Sequence, residues 1–311
     1  MSYSNRPFFQ QALLMIDCLP SVFSEECFAL KGGTAINLFV MDLPRLSVDI
    51  DLVYLPLHEF EESQQKISEA LERIAMKLEK AIPRSKVLRT FSGDKKTILK
   101  LNLQLAKTSV VVEPNFVIRG ALDIVESKAL TKLAETAFER VVKVKSLSDD
   151  ELFAGKFCAA LDRQHPRDLF DVKMFLEKHK ITPKLKNLFF AYLLCSGRPI
   201  HEVLFPTEKD ISVTYEREFK NMTTSIVPLE VLLQARKKLI TEIHSKITEG
   251  DKKFLISFNE GTPQWDLLGL SGADKFPGIQ WKSINLEKFR TGNVAKFKKQ
   301  HEELLAKLSS I

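Results

Sequence analysis

The stretch that most constrains this chain is residues 28 to 55, FALKGGTAINLFVMDLPRLSVDIDLVYL. Phe28, Ala29 and Leu30 form a short apolar run that reads as a buried strand, and Gly32 and Gly33 come just after it. Thr34 then stands where a helix would start, with a hydroxyl able to cap the next turn. After a polar break at residues 42 to 45 the pattern turns to period 2. Ser47, Asp49 and Asp51 fall on one face of the expected strand, and Leu46, Val48, Ile50 and Leu52 on the other. Strand, paired glycines, helix and acidic strand follow one another in that order, and few folds accept it.

Carboxylates two residues apart on one strand face lie roughly 7 Å from each other. Holding them together without a cation is costly, and the spacing suits ligands converging on Mg²⁺. The glycines allow backbone amides to approach an anion closely, and a helix N-terminus would face it. A Gly-Gly pair alone is commonly a turn, and Asp-x-Asp alone is commonly a solvated edge. Both together, with a helix between them, resemble the polymerase-beta-like nucleotidyltransferases.

The rest of the first half supplies a sheet and its cover. Residues 7 to 19 place Phe9, Ala12, Leu13 and Ile16 at helical spacing. Residues 58 to 82 carry Ile67, Leu71, Ile74, Leu78 and Ile82 on one stripe of a long surface helix. Residues 97 to 106 alternate as a strand, and a second at 109 to 116 completes a hairpin. Glu113 ends a valine run on that second strand. Buried there it would need a cation, which makes it a third metal ligand; otherwise it pairs with Arg119 or is solvated before Pro114. Residues 121 to 139 read as a connecting loop with a short helix, and 141 to 147 as another strand. Ser148 and Glu151 then have capping-box spacing, which sets a boundary between a domain of residues 1 to 147 and a helical one of 148 to 311.

The helix that follows, ELFAGKFCAALDR, is apolar nearly all round yet holds Lys156 in its middle. Such a lysine either snorkels or faces a bound anion, and Arg163, seven residues on, lies on its side. Asp168 and Asp171 share a face at the start of the next helix. They serve as dipole partners of that helix, or they orient Lys156 and Arg163 or the attacking group. His165 reads as a helix-junction hydrogen bonder, and Trp265 and Trp281 as packing anchors. Residues 285 to 311 read as one lysine-rich amphipathic helix.

Composition excludes several classes. Of 311 residues, 44% are hydrophobic and 28% charged, as in ordinary globular proteins. Four cysteines without C-x-x-C spacing imply neither a zinc site nor a disulfide framework. The N-terminal residues lack the pattern of a secretion signal, and no apolar run approaches a membrane span, so the expected location is cytoplasmic. The net charge of +6 suits a nucleic-acid partner without establishing one.

Taken together, KGGTAINLF, RLSVDIDL, VVVEPNFVIRG and ELFAGKFCAALDRQHPRDLFDV resemble the AbiEii/AbiGii family of nucleotidyltransferase toxins, to which the MenT toxins are related. The resemblance is dense from residue 28 to 176 and looser beyond. It implies an α+β fold: a polymerase-beta-like nucleotidyltransferase domain with a mixed sheet, then an all-helical domain. It also implies a toxin of a bacterial toxin–antitoxin system that moves a nucleotide from an NTP to a tRNA 3′ end, under control of a cognate antitoxin. The family's glycine and Asp-x-Asp motif matches Gly32, Gly33, Asp49 and Asp51, its lysine helix matches Lys156, and its acidic helix matches Asp168 and Asp171. In this reading Asp49, Asp51 and Glu113 bind Mg²⁺, for which Mn²⁺ can substitute, while Gly32, Gly33, Thr34, Ser47, Lys156 and Arg163 hold the nucleotide. Two other readings share these residues: nucleotidylation of a protein hydroxyl, and a non-catalytic nucleotide- or RNA-binding module.

Overall fold

In the computed structural model, which describes residues 8 to 311, the two apolar runs of the opening motif are strands β1 (Phe28–Lys31) and β2 (Ile50–Tyr54). Five further strands are β3 (Lys86–Phe91), β4 (Ile98–Leu105), β5 (Thr108–Asn115), β6 (Val125–Ala129) and β7 (Lys143–Leu147). They form one sheet in the order β3-β4-β5-β2-β1-β7-β6. β2 runs parallel to β5 and β1 to β7, and the remaining neighbours are antiparallel, so the sheet is mixed as expected.

Helices α1 (Phe9–Val22) and α3 (Phe60–Ala81) pack on β5 and on β3 and β4. Their apolar stripes bury Ile16, Leu19, Ile67, Leu71, Ile74 and Leu78 against Leu101, Leu103, Val110 and Val112. The expected first helix is present from Phe9; residue 7, where it was expected to begin, lies outside the described residues. Helix α2 (Gly32–Ala35) continues into a π-helical turn, Ile36–Val40, and α4 (Lys132–Phe138) precedes β7.

Helices α5 (Asp149–Asp162), α6 (Pro166–Lys178), α7 (Pro183–Leu193), α8 (Ile200–Leu204), α9 (Ser212–Glu218), α10 (Leu229–His244), α11 (Glu249–Asn259), α12 (Pro277–Gly292) and α13 (Val294–Ser309) make up the rest. The chain divides into two compact units: residues up to Leu152 with Arg217–Val227, and Phe153–Glu216 with Pro228–Ile311. The short return of the chain into the first unit is fixed by Leu46, whose N–H donates to Met222 O at 2.9 Å. In the second unit α10 packs along α6, and Phe153, Phe157 and Phe175 form an aromatic cluster with ring centroids 4.6 to 6.4 Å apart. Trp265 packs on Phe254 and Phe258, as an anchor should, whereas Trp281 is 42% exposed.

Four local expectations need correction. The acidic strand begins at Ile50, so Ser47 and Asp49 precede it. Their segment satisfies its backbone elsewhere, since Leu46 bonds Met222 and the Asp49 carbonyl accepts from Thr34. Residues 121 to 139 contain a strand, β6, and β3 adds another after α3. Both are edge strands with little burial, hence no apolar alternation to read. The C-terminal helix is two helices, because Asn293 breaks it and caps the second by accepting from Lys296 N. Ser148 Oγ accepts from Glu151 N, but the Glu151 carboxylate accepts from the N–H groups of Leu122 and Asp123.

Candidate active site

Gly32 has φ +74°, a conformation open to glycine, and a Cβ there would overlap Asp51 Oδ2. At Gly33 a Cβ would lie 2.8 Å from the Arg45 guanidinium and 3.3 Å from Ser47 Oγ. Arg45 is 2% exposed and its Nη1 donates to Leu46 O at 2.9 Å, so it has no room to retreat. The two glycines are therefore fitted to the acidic strand and to the segment leading into it. Thr34 completes the fit. It is the third residue of α2 and does not act as the expected cap; its hydroxyl reaches Ser47 Oγ at 2.9 Å and Asp49 O at 2.5 Å. Ser47 is 5% exposed and sits in this packed layer.

Strand register then assembles a row of charge. Lys31 on β1 pairs with Asp51 on β2, and Asp51 pairs with Glu113 on β5. Residues in register point to the same face of the sheet. The neighbouring row, Ile50, Val112 and Leu101, is fully buried on the face covered by α1 and α3, so the charged row lies on the opposite face. Lys100 of β4 extends it, with Nζ 3.8 Å from Glu113 Oε1. The order along the row is Lys31, Asp51, Glu113, Lys100.

Lys31, Asp51, Glu113, Asn115 and Phe116 border a cavity of about 260 Å³. Glu113 departs from the expectation of a buried acid, since its side chain is 54% exposed. Nor does it pair with Arg119, which instead donates to Phe116 O and His58 O. Among the described residues no three Asp, Glu, His or Cys side chains form a ready-made metal cage, and Asp49 is not among those bordering the cavity. Mg²⁺ commonly takes only one or two protein carboxylates and completes its shell with water and phosphate oxygens. The oxygen-only pair of Asp51 and Glu113 fits that chemistry.

The second unit holds the other expected residues. Lys156 Nζ lies 2.8 Å from Asp168 Oδ1 and 3.0 Å from Asp171 Oδ2, and Arg163 Nε donates to Asp168 Oδ2 at 2.5 Å. Both aspartates are fully buried and Lys156 is 5% exposed, while Arg163 is 59% exposed. Burial alone would raise the Asp168 carboxyl, but Lys156 and Arg163 outweigh it and hold the group well below the usual carboxylate range. His165 is the N-cap of α6, its Nδ1 accepting from Arg167 N at 3.1 Å.

Residues 13–270 match the family described as nucleotidyl transferase AbiEii toxin of type IV toxin–antitoxin systems. The chain belongs to the AbiEii family. It is accordingly a nucleotidyltransferase, with a nucleotide as substrate and an antitoxin as its counterpart. The AbiEii fold is also seen in MenT4, a nucleotidyltransferase toxin from Mycobacterium tuberculosis. The two share 14% identity at a TM-score of 0.59, over 91% of this chain and 96% of MenT4. No curated protein matches the sequence. Among the described residues of this AbiEii chain, no helix is long and apolar enough to cross a membrane. Three residues of the assembled sites escaped sequence reading. Lys31 could have been noticed as the residue before the glycines, whereas Arg45 and Lys100 gave no signal, their roles depending on long-range packing.

Proposed function

We propose that this AbiEii toxin transfers a nucleoside monophosphate from an NTP to the 3′ end of a cytoplasmic tRNA, blocking translation until its antitoxin intervenes. The observation that carries the reading is the in-register pair Asp51 and Glu113, bordering a polar cavity beside the close-approach glycines. Asp51 and Glu113 would hold Mg²⁺ or Mn²⁺, while Asp49, also expected as a ligand, does not border the cavity. Such an ion supplies positive charge to the phosphates and acidifies the acceptor hydroxyl. Gly32 and Gly33 give the triphosphate access to backbone amides, and Thr34 and Ser47 hold that layer in place. In the second unit Arg163, the more exposed cation of its cluster, is open to an anionic group of a ligand. Lys156 anchors Asp168 and Asp171, and Asp168 orients Arg163.

The test is incubation of the purified protein with Mg²⁺, total tRNA and each α-labelled NTP in turn. Label on tRNA with one NTP is the expected result and identifies the donor. Label on protein would replace the tRNA acceptor with a protein hydroxyl. No label with either Mg²⁺ or Mn²⁺ would overturn the reading in favour of a binding module.

A further inference from the structure

The charged row has two different ends. Its Lys31 end adjoins Gly32 and Gly33, the triphosphate side in the reading above, on which this inference rests. Its other end is Lys100, beyond Glu113. In nucleotidyl transfer the acceptor 3′ oxygen forms a bond to the α-phosphorus while the bond to the bridging oxygen breaks. Pyrophosphate departs opposite the attacking oxygen, and the hydroxyl proton goes to solvent. A donor held at the Lys31 end therefore obliges the acceptor to enter from the Lys100 end.

That entrance has an electrostatic difficulty. An RNA end approaching Glu113 and Asp51 brings phosphates toward two carboxylates, so it needs a cation placed ahead of them. Lys100 has that position. Its side chain is 41% exposed and that of Glu113 54%, and their 3.8 Å separation exceeds hydrogen-bond length. Exposed pairs of this kind contribute little to stability, so the ammonium can move to a phosphate at small cost. We propose that Lys100 is the acceptor-binding residue of this enzyme, seating a backbone phosphate of the RNA next to the reacting 3′ end.

Lys100→Ala and Lys100→Arg separate this role from a structural one. In steady-state transfer, Lys100→Ala should raise KM for the RNA several-fold with KM for the NTP unchanged, and Lys100→Arg should restore it. The dependence of log kcat/KM for the RNA on log salt should become shallower by about 0.7, the contribution of one phosphate contact to a single strand. Binding of 5′-labelled RNA in EDTA should weaken in the same variant, a readout that needs neither metal nor turnover. If wild-type protein transfers label to RNA but Lys100→Ala raises KM for the NTP instead, or changes neither, the inference is overturned and the transfer reading stands. An unchanged salt slope, or a protein acceptor, overturns it likewise. If wild-type protein transfers nothing, both fall together.

Discussion

The molecule contains two four-charge clusters of the same formal charge and opposite character. In the first unit Lys31, Asp51, Glu113 and Lys100 lie along a sheet face, with Glu113 and Lys100 half exposed and 3.8 Å apart. In the second, Lys156, Arg163, Asp168 and Asp171 are tied by contacts of 2.5 to 3.0 Å around two fully buried carboxylates. Each holds two cations and two anions, so formal charge does not distinguish them. Solvent does. Charges left in water keep weak mutual pairing and can be redirected to a ligand, whereas charges taken out of water depend on one another. The first cluster is built to exchange partners, and the second to keep them.

Removing one acid from each cluster separates the two. Asp51→Asn should cut nucleotidyl transfer on the order of 1,000-fold, as loss of a group acting on transition-state charge does. Its melting temperature should stay near wild type. A well-folded Asp51→Asn protein with undiminished transfer would remove the charged row from the mechanism.

Asp168→Asn should show the reverse emphasis. It leaves Lys156 and Arg163 short of a buried partner, and loss of one member of such a pair costs about 3 kcal/mol or more. Urea unfolding measures it. A midpoint equal to wild type would mean that the second cluster is as loosely held as the first.

Sequence reading reached one cluster more completely than the other, for physical reasons. Gly32, Gly33, Asp49 and Asp51 lie within twenty residues, and strand periodicity is a local property, so their order was legible. The exact start of β2 was not, because Thr34 and Met222 engage that backbone through contacts distant in sequence and Arg45 takes the neighbouring Leu46 carbonyl. Lys31 and Lys100 joined the acids only through register across four strands. In the second cluster the helix spacing marks Lys156 as an oddity and Asp168 as a group able to orient it. The tight geometry, twelve residues apart across a helix junction, required the fold. Edge strands β3 and β6 stayed hidden because neither buries a full apolar face.

Gly32→Ala sharpens the first cluster without touching its charges. A left-handed φ of +74° is strained for alanine, and the new Cβ would displace the Asp51 carboxylate. The stability cost should be about 1–3 kcal/mol, with transfer reduced although every polar group remains. If Gly32→Ala left both unchanged, the glycine would be only a turn residue.

The smallest expected effect is the pH dependence of the Asp168 contribution to stability. The folded Asp168 carboxyl titrates below the ordinary value of 3.8, so its contribution to stability is complete well above that value. It is lost as pH falls, because the unfolded chain takes up the proton first. The loss begins as pH approaches 3.8 from above and grows steadily below it. Urea midpoints measured from pH 6 to 3 should therefore fall more steeply for wild type than for Asp168→Asn, with the two profiles converging in acid. Parallel profiles for Asp168→Asn would mean that its carboxylate is no better held folded than unfolded, and the contrast between the two clusters would lose its energetic basis.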